Sequence, residues 1–259
     1  MGKIVSIHSF RGGTGKSNTT ANLAAQAALA GRRVGIVDTD IQSPGIHVLF
    51  GLDESKMGKT LNDFLYKRCE IGEVAFPVGE KASDSEGRKS LAGKHLWLFP
   101  ASIRGREISQ VLRNGYDVNR LNEGLQNLMK ELELDYLFID THPGLNEETL
   151  LSIAISDVLL IILRPDQQDF QGTAVTVDIA RSLDVPHLLL AINKALPRYD
   201  RAAIQQDVEQ RFNAPVAGVM PLSFDMADNA SRDLFSLRFP DHEWSIALRQ
   251  VAEAVLAVQ

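Results

Sequence analysis

Three glycines in four positions, Gly12, Gly13 and Gly15, lie inside the stretch Phe10-Arg11-Gly12-Gly13-Thr14-Gly15-Lys16-Ser17, and nothing else in the chain restricts its fold as strongly. An apolar run, Ile4-Val5-Ser6-Ile7-His8, precedes the stretch and a helix-patterned segment from Asn18 to Ala30 follows it. Strand, glycine loop and helix in that order are what a phosphate-binding loop requires. Without Cβ atoms the chain curls so that successive N–H groups converge on one concavity, open to close approach by an anion. Lys16 supplies a mobile charge for β and γ phosphates, Ser17 a hydroxyl for Mg²⁺, and the following helix points its positive dipole end at the same place. Phe10 stands where the general loop G-x-x-x-x-G-K-[ST] has its first glycine. Asn18 likewise replaces the third glycine of the dinucleotide pattern G-x-G-x-x-G.

Short β-branched runs alternate with helical patterns over most of the remaining chain, the signature of βαβ units on a mostly parallel sheet. Seven strands are expected, at Lys3–His8, Arg33–Val37, Leu96–Phe99, Tyr136–Ile139, Val158–Leu163, Leu188–Ile192 and Ala217–Met220. Val158-Leu159-Leu160-Ile161-Ile162-Leu163 is apolar throughout, so helices should cover both faces in a doubly wound α/β architecture. The first helix should run from Lys16 to about Ala30 and stop at Gly31. Leu121, Leu125, Leu128 and Leu132 recur at helical spacing between Asn119 and Glu133, a core-packing stripe. Residues 78–94, rich in Gly, Ser and charge, read as a mobile surface excursion rather than a domain boundary, leaving one domain over residues 1–259.

Functional loops on such a sheet lie at the carboxyl ends of the strands. The second strand leads into Asp38-Thr39-Asp40 and the fourth into Asp140-Thr141-His142-Pro143-Gly144. Carboxylates beside a phosphate loop suit Mg²⁺ held through water and an attacking water that must be oriented. Capping of the following segment is the other reading of Asp38 and Asp40. His142 has no visible partner and reads as a loop residue, and Pro143-Gly144 as a loop able to respond to a γ-phosphate. Asn193, at the end of the sixth strand, has an amide that both donates and accepts, as adenine recognition needs.

Composition bounds the rest. With 44% hydrophobic and 23% charged residues, mean hydropathy −0.08 and no apolar run long enough to span a bilayer, the chain reads as a globular protein of the cytoplasm. A lone Cys69 makes no internal disulfide. The net charge of −6 requires any nucleic-acid contact to come from a local patch. Arg198, Arg201, Arg211, Arg232 and Arg238 scatter positive charge over the last third, and are open to that reading or to ordinary solvation. The segment from Trp244 to Gln259 has a single cation, Arg249, and reads as a packed closing helix rather than one lying on a membrane.

Arg11 to Ser17, Asp38-Thr39-Asp40 and Ile139 to Gly144 together resemble the deviant Walker-loop ATPases of the ParA and MinD family, in the order and spacing of the motifs and over nearly the whole chain. The resemblance implies a fold that binds ATP with Mg²⁺, closes into a face-to-face homodimer with two nucleotides between the subunits, and hydrolyses ATP slowly when an adaptor stimulates it. It further implies positioning of a cargo on the nucleoid or on the membrane. Carried over residue by residue, Arg11, Gly12, Gly13, Thr14, Gly15, Lys16, Ser17 and Asn18 form the phosphate site. Ser17, Asp38 and Asp140 serve the metal, Asp40 orients the attacking water with Asp38 in support, and Asn193 reads adenine with the loop from Pro221. The family's signature lysine corresponds to Arg11, whose planar fork suits two phosphate oxygens of a partner subunit. That departure resembles the carboxysome-positioning McdA branch. Non-specific DNA binding in the ATP dimer is the leading expectation. A MinD-like membrane-cycling regulator and a metabolic ATP-dependent enzyme are the alternatives.

Overall fold

The computed structural model describes residues 2–79 and 86–258. Its strands are β1 Lys3–His8, β2 Val34–Asp38, β3 Phe76–Pro77, β4 Leu96–Phe99, β5 Tyr136–Asp140, β6 Val158–Leu163, β7 His187–Ala195 and β8 Val216–Pro221. They form one sheet in the order β3-β4-β2-β5-β1-β6-β7-β8. All pairs are parallel except β3 with β4. The count is therefore eight rather than the expected seven. The addition, β3, is two residues long and contains Pro77, a residue tolerated at a sheet edge because it lacks an N–H to donate.

The helices are α1 Lys16–Leu29, α2 Ile46–Leu49, α3 Leu61–Leu65, α4 Gly105–Asn114, α5 Val118–Glu131 and α6 Glu147–Ala154. The second half of the chain adds α7 Gln167–Ser182, α8 Arg201–Phe212, α9 Phe224–Asn229, α10 Phe235–Arg238 and α11 Glu243–Ala257. Three apolar clusters result among the described residues. Val5, Ile7, Val34, Ile36, Tyr136 and Phe138 pack with α1 and α11, while Ile4, Val37, Leu137 and Ile139 pack with α5. Leu159, Ile161 and Leu163 join α7 and α8, whereas Val158, Leu160 and Ile162 face the α1 side. Burial on both faces is why β6 is apolar at every position.

Helix α1 ends as expected, with Ala30 as its cap and Gly31 at φ 82. The leucine stripe lies on α5, which starts at Val118 with Asp117 capping two amides. The expected excursion needs correction at both ends. Val78 and Leu91 are buried in the core, a 3₁₀ turn spans Arg88–Leu91, and Gly93 N–H donates to Gly79 O. Its middle, residues 80–85, lies outside the described residues. The apolar side chains at each end hold the segment against the sheet, which composition alone did not convey.

Candidate functional site

Strand β1 lies between β5 and β6, where the chain, having built outward through β2 and β4, returns and continues on the other side. That reversal opens a crevice at the carboxyl ends of the strands. The glycine loop leaves β1 at this point. Gly13 and Gly15 hold φ 76 and 95, values that disfavour any side chain. Gly15 is also the N-cap of α1, and no side chain caps that helix. The first-turn N–H groups of a 14-residue helix are thus left facing the crevice.

Lys16 is buried and its Nζ lies 2.9 Å from Asp140 Oδ1. Thr20 Oγ1 is 3.1 Å from the same oxygen, while the buried Oδ2 has no partner. Thr14 Oγ1, on the loop, and Asn18 Oδ1, in the first turn of α1, are also buried and without partners among the described residues. Orphaned polar atoms at a crevice fit a polar ligand, since leaving them unpaired costs roughly 1–3 kcal/mol each. A phosphate group with a divalent cation suits this set: carboxylate and hydroxyl oxygens for the cation, free amides and an ammonium for the phosphate.

Asp38 and Asp140 stand side by side in register on β2 and β5. Burial, then the neighbouring Asp140 charge, pushes the Asp38 carboxyl up to about 8. Both Asp38 oxygens are engaged by backbone: Asp40 N–H donates to one at 3.2 Å, Gly45 and Ile46 N–H to the other at 3.2 and 3.4 Å. The Asp38 carboxyl group thereby holds the loop that carries Asp40, the capping arrangement. Asp40 is raised by its partial burial. His142, expected to be a loop residue without a partner, sits with Nε2 3.8 Å from Asp40 Oδ1 while its Nδ1 meets Pro143 O. Beneath them His8 is buried and forced neutral, held down to about 3 by burial and then by Lys16 and His142. Its Nδ1 meets Thr141 Oγ1 at 2.9 Å, and that hydroxyl donates to Ile7 O.

Arg11 leans onto α7, its Nη1 3.5 Å from Asp169 and 3.9 Å from Asp166. Asp169 already accepts from Arg164 Nε, Nη2 and backbone N. Burial works to raise the Asp169 carboxyl, and the Arg164 bonds outweigh it and hold the group low. Ser17 follows Lys16 on the first turn of α1 and is half-buried.

A cavity of about 290 Å³ adjoins the loop, lined by Gly15, Asn18, Asn193, Lys194, Pro221 and Trp244 among others. Asn193 and Pro221 therefore lie where the sequence reading puts the base pocket. The Asn193 amide is largely committed within the protein, however. Its Nδ2 donates to Thr14 O, and its oxygen accepts from Lys194 N–H and Trp244 Nε1. One amide N–H is left for a ligand, so the full donor-and-acceptor reading of adenine does not hold in this arrangement. Lys194, whose ammonium reaches Gly13 O at 2.7 Å, and Phe10, packed on Gly172, are contacts that no spacing rule reveals. Most of the arginines of the last third have partners: Arg201 pairs with Glu243, and Arg198, Arg211 and Arg238 lie over aromatic rings. Helix α11 buries Trp244, Leu248, Val251 and Val255, and among the described residues no helix is long and apolar enough to cross a membrane.

A family model described as "AAA domain", designated AAA_31, matches residues 2–184. The septum site-determining protein MinD of Bacillus subtilis is 24% identical over 262 residues, covering 99% of this chain and 90% of that protein. Among solved structures, MinD of Pyrococcus horikoshii complexed with Mg-ADP aligns with a TM-score of 0.78 at 19% identity over 98% of this chain and 96% of its own. Apo McdA of Cyanthece aligns at 0.75 and 20% over 98% and 100%. The chain belongs to the AAA domain family AAA_31 and is similar to proteins of the ParA/MinD type.

Proposed function

We propose that this chain is an ATP-dependent dimerising ATPase that positions or partitions a cellular cargo, with Mg²⁺ as its metal. The observation that carries this reading is the meeting, at one sheet edge, of the glycine loop, Lys16 and the carboxylates of Asp38, Asp40 and Asp140. Nucleotide bound there supplies the phosphoanhydride whose hydrolysis ends the dimeric state. Lys16 leaves Asp140 to meet the phosphates. Ser17 and the unpartnered Asp140 Oδ2 then serve the cation. Asp40 orients the attacking water, held in place by the Asp38 bonds to its loop. Arg11 swings from Asp169 toward the partner subunit's nucleotide.

In this reading the ATP dimer holds DNA without sequence preference and an adaptor protein triggers its release. The test is light scattering of an Asp40→Ala protein with and without saturating ATP and Mg²⁺, followed by DNA retention at rising salt. A dimer that forms only with ATP and loses DNA steeply with salt is expected. A monomer under all conditions overturns the reading. The similarity to MinD of B. subtilis supports a second reading, a division regulator that cycles on membranes. ATP-dependent co-sedimentation with liposomes rather than DNA would select it.

A further inference from the structure

Consecutive residues of a strand point to opposite faces of its sheet. Asn193 and Lys194 are consecutive on β7, yet both reach the glycine loop, Asn193 Nδ2 at Thr14 O (2.8 Å) and Lys194 Nζ at Gly13 O (2.7 Å). The register explains it. Ile192 pairs with Val219 and Ala195 with Pro221, so three steps along β7 answer two along β8. The extra residue makes a β-bulge, a device that re-aims side chains beside functional sites. Lys194 sits at φ 58, a left-handed conformation unfavourable for a residue with a Cβ. A lysine stands there although glycine would fit the bend more easily and lacks only the side chain.

The two carbonyls held are adjacent, and that fixes what the contact accomplishes. Among the described residues all peptide bonds are trans, so the C=O of Gly13 points opposite to the N–H of Thr14, and the C=O of Thr14 opposite to the N–H of Gly15. Holding both oxygens on the β7 side turns both amides the other way. Gly15 has to be glycine for this arrangement to close, because a Cβ there would stand 2.5 Å from Asn193 Nδ2. We infer that Lys194 is a positioning residue which, with Asn193, clamps the loop carbonyls so that the Thr14 and Gly15 amides face the phosphates of the bound nucleotide. The inference rests on the nucleotide reading of the loop given above.

The test compares Lys194→Met, Lys194→Gly and Lys194→Arg with the parent chain. Binding of Mg-ADP and of inorganic tripolyphosphate is measured, together with melting temperature and amide exchange of the nucleotide-free protein. Losing one charge-assisted hydrogen bond to the loop should weaken both ligands about tenfold in the Met and Gly variants. Thr14 and Gly15 amides should exchange faster, and Arg should restore most of the affinity. The Gly variant separates positioning from fold maintenance, since glycine relieves the left-handed strain and should not lower the melting temperature while affinity falls. Loss confined to Mg-ADP would place Lys194 on the base or ribose and overturn the clamp, as would weaker binding with unchanged amide exchange. If the parent binds neither ligand, the nucleotide reading itself falls; if the parent binds and the variants match it, only the clamp does.

Discussion

Phe10 lies against the bare Cα of Gly172 on α7: a Cβ built on that glycine would stand 2.1 Å from Phe10 Cδ1 and 2.7 Å from its Cβ. The atoms in the way belong to the base of the ring, so no rotation of a distant side-chain end relieves the clash. The start of the phosphate loop is thereby seated on a helix more than 150 residues away in sequence. Gly172→Ala should cost about 1–3 kcal/mol, the usual range for overpacking. Combined with Phe10→Ala it should cost less than the two single changes summed. Urea unfolding of the four proteins checks this, and strict additivity would show that the ring and the helix do not bear on each other.

The pH dependence of the nucleotide-free, metal-free protein follows from two buried groups that act in opposite senses. Asp38 holds a proton up to about 8, whereas the unfolded carboxyl loses it near 3.8, so stability declines as pH rises toward 8. His8 stays neutral down to about 3, whereas the unfolded ring takes a proton below 6.5, so stability is lost as pH falls below that value. The contributions of these two groups cancel between about 4 and 6.5 and leave a fall from 6.5 to 8, to which Asp40 and Glu148, also raised, and His47, also lowered, add in the same senses. Asp38→Asn should remove the alkaline fall and reveal an acid one, and His8→Asn should let stability keep climbing as pH drops to 5. Thermal melts across this range test both variants; identical profiles for all three proteins would refute the assignment.

Lys16 and Asp140 form a buried pair whose members depend on each other. Lys16→Met strands the carboxylate with only the Thr20 hydroxyl close to its Oδ1, a situation that typically costs about 3–5 kcal/mol. Adding Asp140→Asn removes the stranded charge and should recover most of that loss. Denaturant titration of the single and double variants decides, equal losses in both being the contrary result.

Gly13 and Gly15 both have positive φ but differ in surroundings. A Cβ on Gly13 meets nothing within 4 Å, whereas on Gly15 it meets Asn193 Nδ2 at 2.5 Å. Gly13→Ala should therefore carry only the conformational cost, about 1–2 kcal/mol. Gly15→Ala should add displacement of Asn193 from Thr14 O and abolish binding of a fluorescent ATP analogue. Equal affinities in the two variants would contradict the contact.

The sheet and the phosphate loop were legible because their signals are local. Val158 to Leu163 is apolar at six consecutive positions, and the three glycines before Lys16 fit few structures other than this loop. Asp140 was legible for the same reason, lying at the end of an apolar strand. The Asn193 amide was half-read: its place beside the cavity follows from the strand end, but its commitment to Thr14, Lys194 and Trp244 depends on a bulge that leaves no mark in spacing. Asp38 carried two readings because a carboxylate after a strand can cap a loop or serve a metal, and its bonds to the Gly45 and Ile46 amides left no trace in the sequence. The partnership of His142 with Asp40 joins residues 102 positions apart and had no local trace.

Arg11 and Lys16 differ in what each leaves behind on moving. When Lys16 departs, Asp140 loses its counter-ion. When Arg11 departs, the buried Asp169 keeps all three hydrogen bonds from Arg164 and stays paired, whereas Arg11, partly exposed and 3.5 Å away, gives up only a long contact. In the proposed dimer, side-chain release of Arg11 would add little to the barrier for two subunits meeting across their nucleotides. Association in that reading would be governed by the diffusion and mutual orientation of two whole subunits, with the arginine arriving at little kinetic penalty.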